Sequence, residues 1–571
     1  ITAQKASTDS FKAVSASYTL TVKDKNLSTI VFADGTDITK MPGSDTYINT
    51  VSGLGDGAVS YSSENPNIAT VDSSTGEVTL IAIGTTVITA NKASTDSFKA
   101  VSASYSLTVK YKNLSTIEFA DSTEIIKLLG SGIYTNTMSG VGDGAVSYSS
   151  EDPNIVAVDS STGEVTLIGS GTTVITAIKA ETDSFKAVSA NYTIVVLEPY
   201  LPLLSISTDD MHPVDSKEDW IKGRAILNNG GTITDLGNLE IKGRGNSTWN
   251  VMPKKPYTFK LDKEKQILGM EPHKRWVLLA NYSDKTLLRT TFAFNLGLSV
   301  FSNLKWTPVS RMVEVVLNNE YIGVYQIVEQ IRIDTNRVDI DLDKGDFLLE
   351  VNARQDEKFN FTTTREVPFS FKGPEEPNTS QFYAIKSKIQ KVEDIIYSDN
   401  FADEVNGYAK YIDVNSFVDW YLINELTKNN DAIFYTSVYM FYKDNSLYMG
   451  PLWDYDISSG NINYNGCDNP ENYWIKNAPW IQRLFEDPLF VQKIKDRWNE
   501  KKNELLSEIA DISFNASLLN NAANNNFKRW DILNTYVWPN RVVKGSYNEE
   551  VSELIDWLTM RYNWMDSDIN Q

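Results

Sequence analysis

An internal repeat with a period of 87 residues organises the first third of the chain. The triplet Ile-Thr-Ala recurs at Ile1, Ile88 and Ile175. Within each copy the apolar segments are short, β-branched and alternating, and the turn sequence Ser-Ser-Thr-Gly separates them at 73–76 and 160–163. Alternation with a period of two and closely spaced turns are typical of β-sandwiches. The repeat therefore predicts tandem all-β domains of about 85 residues each.

The phase of the repeat sets the expected domain boundaries. We expect residues 1–25 to be the closing strands of an earlier copy, so that the chain begins inside a longer array. The first repeat then covers 26–109 and the second repeat covers 110–196. A linker with two prolines follows at 197–203, and we expect a hinge there. Residues 204–571 form one large domain. Because the copies are nearly identical, we interpret them as a stalk rather than as a ligand-binding module.

The sequence changes character after the linker. All thirteen tryptophans lie in the large domain, and helical periodicity first appears there. The large domain is therefore predicted to be α+β. The predicted elements are a helix at 283–296 with Ser283 as its N-cap, a helix at 413–426, a C-terminal helix behind the capping box Ser546-x-x-Glu549, and hairpins at 313–328 and 434–449.

Charge and residue content limit the chemistry. The net charge of −21 disfavours nucleic acids and anionic membranes as partners, and no segment approaches the ~20 apolar residues that span a bilayer. Cys467 is the only cysteine, which excludes an internal disulfide and a cysteine-based zinc site. The only histidines, His212 and His273, disfavour hydrolases that use a catalytic histidine. Any chemistry must depend on carboxylates, lysines and a hard metal ion.

A glycine turn with nearby cations is the first candidate site. The segment 242–249 reads KGRGNSTW, and Lys254, Lys255 and Lys260 follow it. Glycines let backbone N–H groups approach an anion, and Arg244 with the lysines would complement the charge of a phosphate. A plain glycine turn in a hairpin would look similar, so both interpretations stay open.

Two acidic segments form the second candidate site. The predicted helix at 413–426 leads to Asn429-Asn430-Asp431, which also fits an ordinary turn. A hairpin follows, and then the segment 450–456, GPLWDYD. In an extended strand Asp454 and Asp456 would share one face, where their charges repel unless a cation lies near. A small number of oxygen ligands suits Mg²⁺ or Mn²⁺. Protein kinases use the same order of two aspartates, although their His-Arg-Asp and Asp-Phe-Gly motifs are absent here.

Several of these motifs together resemble a known family. The large domain is similar to the CotH family of atypical secreted kinases from about residue 204 to 565, and the segment 61–72 resembles bacterial immunoglobulin-like domains of the Big family. The CotH resemblance depends on the segments 241–249 and 276–285, Gly323-x-Tyr325 with Glu329-Gln330, Asn430-Asp431, and 450–456.

The resemblance implies a kinase-like fold and roles for individual residues. Asp454 matches the family's Mg²⁺-binding aspartate, and Asp431 matches a second essential aspartate, either a base or a metal ligand. Asp456 would support the metal. Trp453 would pack at the nucleotide, or it is a core tryptophan. Arg289 would contact phosphate, or it forms an ion pair with Asp284 or Glu329.

One position departs from the family pattern. The segment 345–350 ends in Glu350, where spore-coat members carry a lysine. A phosphate-binding cation is then missing, and Lys372 or Lys260 would have to replace it. Loss of such a cation would lower activity, so an inactive pseudokinase is an alternative.

The sequence leaves three functions open. The resemblance favours a secreted or cell-surface kinase that uses Asp431 and Asp454 to transfer phosphate from ATP to Ser or Thr of an extracellular or surface protein. The second is an adhesin or scaffold whose kinase-like domain binds without catalysis. The third is a glycoside hydrolase, which is disfavoured because carboxylates at i and i+2 lie too close together.

Overall fold

The computed structural model describes residues 1–43 and 46–571, and the N-terminal part of the chain is built from strands. Thr2–Lys5 pairs with Val14–Ser17 in a separate two-stranded sheet. Each complete repeat contains a four-stranded sheet in the same order. In the first repeat these strands are Asp37–Lys40, Val101–Val109, Gly84–Lys92 and Val59–Ser63, and in the second they are Glu124–Leu128, Val188–Leu197, Gly171–Lys179 and Val146–Ser150.

Short strands complete the second layer of each repeat. They are Val31–Phe32, Tyr47–Ile48, Val51–Ser52, Ala69–Val71 and Glu77–Leu80 in the first repeat, and Glu118–Phe119, Met138–Ser139, Val156–Val158 and Val165–Leu167 in the second. Alternate residues of the long strands, such as Ile88 and Ala90, face a buried core. The predicted all-β sandwiches are confirmed.

The linker is packed against the large domain and does not form the expected free hinge. The backbone N–H groups of Tyr200 and Leu201 both donate to Oε2 of the buried Glu314, at 2.7 and 3.2 Å. Leu197 and Leu203, at the two ends of the linker, lie in one apolar cluster. Two prolines suggested a flexible connection, but the carboxylate of Glu314 satisfies the linker backbone and fixes it.

The second repeat contacts the large domain directly. Leu128 shares an apolar cluster with Val316 and Tyr321 of the large domain, and Lys127 Nζ donates to the carbonyl of Asn319 at 3.0 Å. The repeats differ at this contact, because the second repeat has larger aliphatic side chains. Ile126, Leu128 and Leu129 stand where the first repeat has Thr39, Met41 and Pro42. The second repeat is thus adapted to the domain that follows it.

Replacing Leu128 tests this contact. Leu128 is 0% exposed, and Leu128→Ala should destabilise the protein by about 2–5 kcal/mol because it leaves a cavity. All tryptophans lie in the large domain, so denaturant unfolding followed by tryptophan fluorescence reports that domain alone. We expect its transition to shift to lower denaturant. Leu114→Ala, at a residue that is 74% exposed, is the control and should shift nothing. An unchanged transition in Leu128→Ala would mean that the two domains are not coupled.

The large domain begins with a closed seven-stranded barrel. Its first strand pairs in parallel with the strand at 310–317, which closes the barrel. The interior is filled by apolar side chains, among them Trp276 and Tyr325. In order around the barrel the strands are Leu203–Thr208, Ile221–Asn229, Thr232–Gly243, Tyr257–Lys265, His273–Leu279, Glu320–Glu329 and Ser310–Leu317.

The rest of the large domain is a five-stranded antiparallel sheet surrounded by helices. The strands, in order, are Asn360–Thr362, Pro368–Gly373, Phe347–Val351, Val438–Lys443 and Ser446–Met449. The α-helices are Ser247–Val251, Arg289–Asn295, Thr379–Ile396, Val414–Thr427, Pro479–Leu484, Pro488–Arg529 and Tyr547–Asn570. Short 3₁₀ helices lie at Asp209–Met211, Leu342–Lys344, Tyr408–Lys410, Asn430–Ala432 and Ile475–Asn477, and a π-helix at Leu296–Val300. Within 1–43 and 46–571, no helix is long and apolar enough to cross a membrane.

Most predicted elements are present, and one helix begins later than expected. Asp413 caps the helix Val414–Thr427, and Ser546 caps the C-terminal helix. The helix predicted from Ser283 begins only at Arg289. Asp284 Oδ1 accepts a hydrogen bond from the N–H of Thr286, and Leu287 has a φ of 61°. This local turn uses the backbone groups that a helix from Ser283 would need.

Candidate active site

One large cavity lies where the barrel, the five-stranded sheet and the loops after it meet. Its volume is about 880 Å³. The glycine turn 243–248, the turn that carries Asp431 and the segment 453–456 all line it. The structure therefore brings together the glycine turn and both acidic segments that the sequence singled out.

The turn of Asp431 follows the end of a buried helix. Val414–Thr427 ends where Lys428 takes a left-handed conformation, and the chain then forms the 3₁₀ turn Asn430–Ala432. Asn430 Nδ2 donates to Asp431 Oδ1 at 2.8 Å. Behind the turn, Glu425 of the helix pairs with Arg561 at 2.6 Å, and both side chains are fully buried. This anchorage fixes the carboxylate of Asp431 at the cavity wall.

Asp454 and Asp456 reach the cavity from an irregular segment. Asp454 has a φ of 67°, so the segment is not an extended strand. The prediction that Asp454 and Asp456 share one face of such a strand is therefore wrong. Ser437 Oγ donates to Asp454 Oδ2 at 3.1 Å. Asn429 Nδ2 donates to the Asp454 carbonyl at 3.1 Å, which connects this segment to the turn of Asp431. Both Asp454 and Asp456 line the cavity nonetheless.

The three carboxylates affect one another. Burial and, to a smaller extent, the negative charge of Asp454 together raise the pKa of Asp431 to about 6. Burial also raises the pKa of Asp456, with contributions from Asp454, Asp284 and Asp431. Like charges held this close are costly unless a proton or a cation is present. The cavity therefore holds three acidic groups so close together that a proton or a cation must offset their charge.

The oxygen atoms of these residues fit a hard divalent cation whose remaining ligands come from a substrate and from water. Within the described residues, no group of three or more His, Cys, Asp or Glu side chains forms a ready-made metal cluster. The oxygen donors at this point are the carboxylates of Asp454 and Asp456, with the hydroxyl of Ser437 beside the first. Mg²⁺ is usually held by one or two carboxylates, with water and phosphate oxygens completing its shell. These residues fit that pattern.

Cations face the carboxylates. Arg244 lies 5.3 Å from the ring centre of Trp453. Burial lowers the pKa of Arg244, whereas the acidic residues around it, Asp454 foremost, oppose that shift. Lys372 also lines the cavity. A cavity with carboxylates and cations side by side suits a metal-bound phosphate, because each kind of charge meets its opposite.

Comparison with protein families agrees with this geometry. The family model described as CotH kinase protein matches residues 241–565. The chain belongs to the CotH kinase protein family. The model of the immunoglobulin-like domain of intimin matches residues 45–94 and 132–181, so a CotH domain follows immunoglobulin-like repeats. The mixed helices and sheets described above are the fold of this CotH domain.

Solved structures resemble the chain only weakly. Human protocadherin-24 EC1-2 has 17% identity over 30% of this chain and 97% of that chain, with a TM-score of 0.19. The surface layer protein SbsC, domains 4–9, has 15% identity over 43% and 46%, with a TM-score of 0.19. The fibronectin(III)-like modules of CbhA from Clostridium thermocellum have 16% identity over 30% and 95%, with a TM-score of 0.19. Comparison with curated proteins returns no match.

Glu350 of the CotH domain forms an ion pair inside the cavity. Its Oε2 lies 2.9 Å from Lys372 Nζ, and its Oε1 accepts a hydrogen bond from the N–H of Ser437 at 3.1 Å. Lys372 is also paired with Glu357. Protein kinases hold their phosphate-contacting lysine in a comparable Lys–Glu pair. Lys372 is therefore a cation of the cavity lining that Glu350 holds in place.

Four cations that the sequence singled out do not line the cavity. Arg289 forms a buried ion pair with Asp284 at 2.6 Å, the structural alternative considered for it. Lys255 donates to the carbonyl of Trp249 at 2.6 Å, and Lys260 pairs with Glu240 at 3.4 Å on the barrel. Lys254 is fully buried beneath the barrel and donates to Asn526 Oδ1 at 2.8 Å. The fold therefore holds each of these four cations outside the cavity lining.

Trp453 is a largely buried tryptophan at the lining of the cavity, and its role at a nucleotide stays a prediction. It is only 8% exposed and packs on Phe294, with ring centres 6.3 Å apart, yet it lines the cavity. Sequence reasoning missed several other cavity residues. They are Lys217, Lys242, Arg354, Tyr435, Tyr464 and Trp538. Lys242 lay inside the glycine motif and could have been named, whereas no local pattern marks the others.

Proposed function

We propose that the CotH domain is an atypical protein kinase that transfers the γ-phosphate of ATP to a Ser or Thr hydroxyl. The observation that carries the proposal is the meeting of three carboxylates with Arg244 and Lys372 in one cavity. Phosphoryl transfer depends mainly on positioning and on neutralising charge, and this set of side chains supplies both. Membership of the CotH kinase protein family supports the same conclusion.

The cations of the cavity would hold the phosphates. Arg244 is half-buried next to the acidic residues, where a guanidinium can donate to two phosphate oxygens at once. Lys372 lies on the strand Pro368–Gly373 and is oriented by Glu350. Gly245, with a φ of 82°, lines the cavity next to Arg244 and leaves its backbone open to a phosphate oxygen, whereas the ring of Trp249 fills the space at Gly243.

Asp431 is the proposed proton acceptor. The acceptor hydroxyl forms a bond to the γ-phosphorus, the bond from that phosphorus to the β–γ bridging oxygen breaks, and ADP leaves. The hydroxyl proton passes to the carboxylate of Asp431. A pKa of about 6 suits this role, because the group is ionised near pH 7 and still basic enough to accept a proton.

Asp454 and Asp456 are the proposed ligands of Mg²⁺ or Mn²⁺. When bound, such a metal neutralises the negative charge of the phosphates. Without a cation, the two side chains repel each other and Asp431, as the raised pKa values of Asp431 and Asp456 indicate. Because a divalent ion would relieve this repulsion, the carboxylates favour its binding.

The proposed acceptor is an extracellular or cell-surface protein, and the immunoglobulin-like repeats are proposed as the stalk that presents the CotH domain. The repeats are similar to the immunoglobulin-like domain of intimin, which supports an extracellular setting. The net charge of −21 argues against nucleic acids as the target, because their phosphates would be repelled.

ATP affinity tests the role of Arg244. Arg244→Gln should weaken ATP binding by about 10- to 100-fold, because a charge-assisted hydrogen bond to phosphate is lost. Lys260→Gln removes a cation of the same barrel outside the cavity and should leave the Kd within about twofold, as expected for an exposed charge. Calorimetric titration of the full chain with ATP and Mg²⁺ measures both. Equal affinities for wild type and Arg244→Gln would contradict the assignment.

A second candidate is a catalytically weak or inactive CotH domain that serves as a surface adhesin or scaffold. The favouring observation is that Lys372 is already paired with both Glu350 and Glu357. Glu357→Gln separates the two functions. If the domain is an active kinase, this substitution frees Lys372 to bind phosphate, and the rate of phosphoryl transfer stays the same or rises. If the domain is a scaffold, phosphoryl transfer remains absent.

A further inference from the structure

The cavity has walls of two different chemical characters. Of the cations that line the cavity, Lys217, Lys242 and Arg244 come from the barrel region, Lys372 comes from the five-stranded sheet, and Arg354 follows the strand Phe347–Val351 of that sheet. Aromatic side chains come from other segments. Tyr464 lies in the loop after Asp456, Trp538 in the loop before the C-terminal helix, and Tyr435 after the turn of Asp431. We call these three residues the aromatic wall.

The aromatic wall is ordered and open to solvent. The rings of Tyr464 and Trp538 are stacked, with centres 6.2 Å apart and planes inclined by 14°. Asn463 Nδ2 donates to the hydroxyl of Tyr536 at 3.0 Å and holds the two loops together. Trp538 is 43% exposed and Tyr435 is 48% exposed. Large aromatic surfaces left open beside a cavity are typical of binding sites, since such rings normally pack inside the fold.

The aromatic wall borders the proposed base. Asn465, next to Tyr464, donates through Nδ2 to Asn430 Oδ1 at 2.9 Å, and Asn430 in turn donates to Asp431. Tyr464 lines the cavity together with Asp431 and Asp456, and burial, followed by the charge of Asp431, raises the pKa of its hydroxyl.

The loop of Trp538 is fixed to the segment of Asp456. Asn540 Nδ2 donates to Asn461 Oδ1 at 2.8 Å, and Asn461 Nδ2 donates to the Asp456 carbonyl at 2.7 Å. A molecule bound to the aromatic wall would therefore lie at a fixed position relative to the acidic residues.

We propose that the aromatic wall is the acceptor subsite and binds an aromatic or aliphatic side chain next to the Ser or Thr that is phosphorylated. This inference rests on the proposed kinase function. In phosphoryl transfer the attacking and leaving oxygens lie roughly in line on opposite sides of the phosphorus. Phosphates belong with the cations, which leaves the aromatic wall beside Asp431 for the acceptor. Neutral rings attract an apolar side chain and carry no positive charge to neutralise a phosphate.

Two synthetic peptides test the subsite. Both have one serine in a glycine-rich sequence, and they differ only in a tyrosine or a glycine next to it. We expect the tyrosine peptide to bind the full chain about tenfold more tightly, in the presence of Mg²⁺ and a non-hydrolysable ATP analogue, because ring stacking is added to apolar burial. Trp538→Ala should remove this preference and leave the affinity for the ATP analogue unchanged. Trp538→Phe should keep most of the preference, which guards against loss through misfolding.

Tyr383→Ala is the matched control, because Tyr383 is 65% exposed on the helix Thr379–Ile396, outside the cavity. It should leave the preference intact. Equal binding of both peptides to wild type would overturn the subsite. Loss of affinity for the ATP analogue in Trp538→Ala, with the peptide preference retained, would also overturn it, because the aromatic wall would then bind the adenine of ATP. Transfer from ATP, measured separately with the same peptides, tests the kinase proposal. Absent transfer with a retained peptide preference would reject the kinase but not the peptide subsite.

Discussion

Asp454→Asn should lower the rate of phosphoryl transfer by about 10³-fold, because it removes a carboxylate that holds the metal at the phosphates and several kcal/mol of charge stabilisation disappear. The amide is nearly the same size and can still accept the hydrogen bond from Ser437 Oγ. The fold should therefore be preserved, and the loss should appear in kcat. The measurement is incorporation of labelled phosphate into a serine peptide under saturating ATP and Mg²⁺.

Asp444→Asn is the matched control for this substitution. Asp444 lies in the exposed turn of the hairpin Val438–Met449, with a φ of 51° that asparagine also adopts. Its rate should equal that of wild type. Wild-type activity in Asp454→Asn would show that the metal, if one is used, is held elsewhere.

Asp431→Asn should lower kcat by about 10²- to 10⁴-fold, the usual contribution of a positioned base. Its pH profile separates a base from a residue that only maintains the structure. The wild-type rate should rise with pH through about 6, since Asp431 accepts a proton only when it is ionised. Below that pH the rate should fall about tenfold per unit, as expected when one group must be ionised.

This decrease in rate at acidic pH, the acidic limb of the pH profile, should be absent from Asp431→Asn. Steady-state rates between pH 4.5 and 8, with affinity for ATP measured in parallel, distinguish the two cases. A limb that persists unchanged in Asp431→Asn would belong to another group. ATP affinity that falls together with kcat would indicate a structural role for Asp431.

The repeats and the acidic residues could be predicted because their signals are local. A period-two pattern such as that of Gly84–Lys92 needs only the adjacent strand to form a sandwich. Asp431 and Asp454 stand in short motifs whose order along the chain resembles a kinase. The helix start predicted at Ser283, by contrast, is wrong, because the side chain of Asp284 forms a turn of its own.

The closure of the barrel and the Lys372–Glu350 pair could not be predicted from local sequence. The barrel closes when Leu203–Ile206 pairs with Glu314–Leu317, more than a hundred residues later along the chain. Glu350 meets Lys372 because Glu350 is paired with Ser370 in the sheet. The same holds for the aromatic wall, whose three rings come from three separate segments of the chain. Long-range pairing of this kind leaves no periodic trace in the sequence.

The most direct test of the central claim is transfer of the γ-phosphate of labelled ATP by the full chain. The chain is incubated with labelled ATP, Mg²⁺ and the tyrosine-containing serine peptide, and the peptide and the chain are separated before counting. We predict label on the peptide serine, dependent on the metal, and its loss in Asp454→Asn but not in Asp444→Asn. ATP that binds tightly and leaves no label on peptide or chain, with Mg²⁺ or Mn²⁺, would contradict the kinase account.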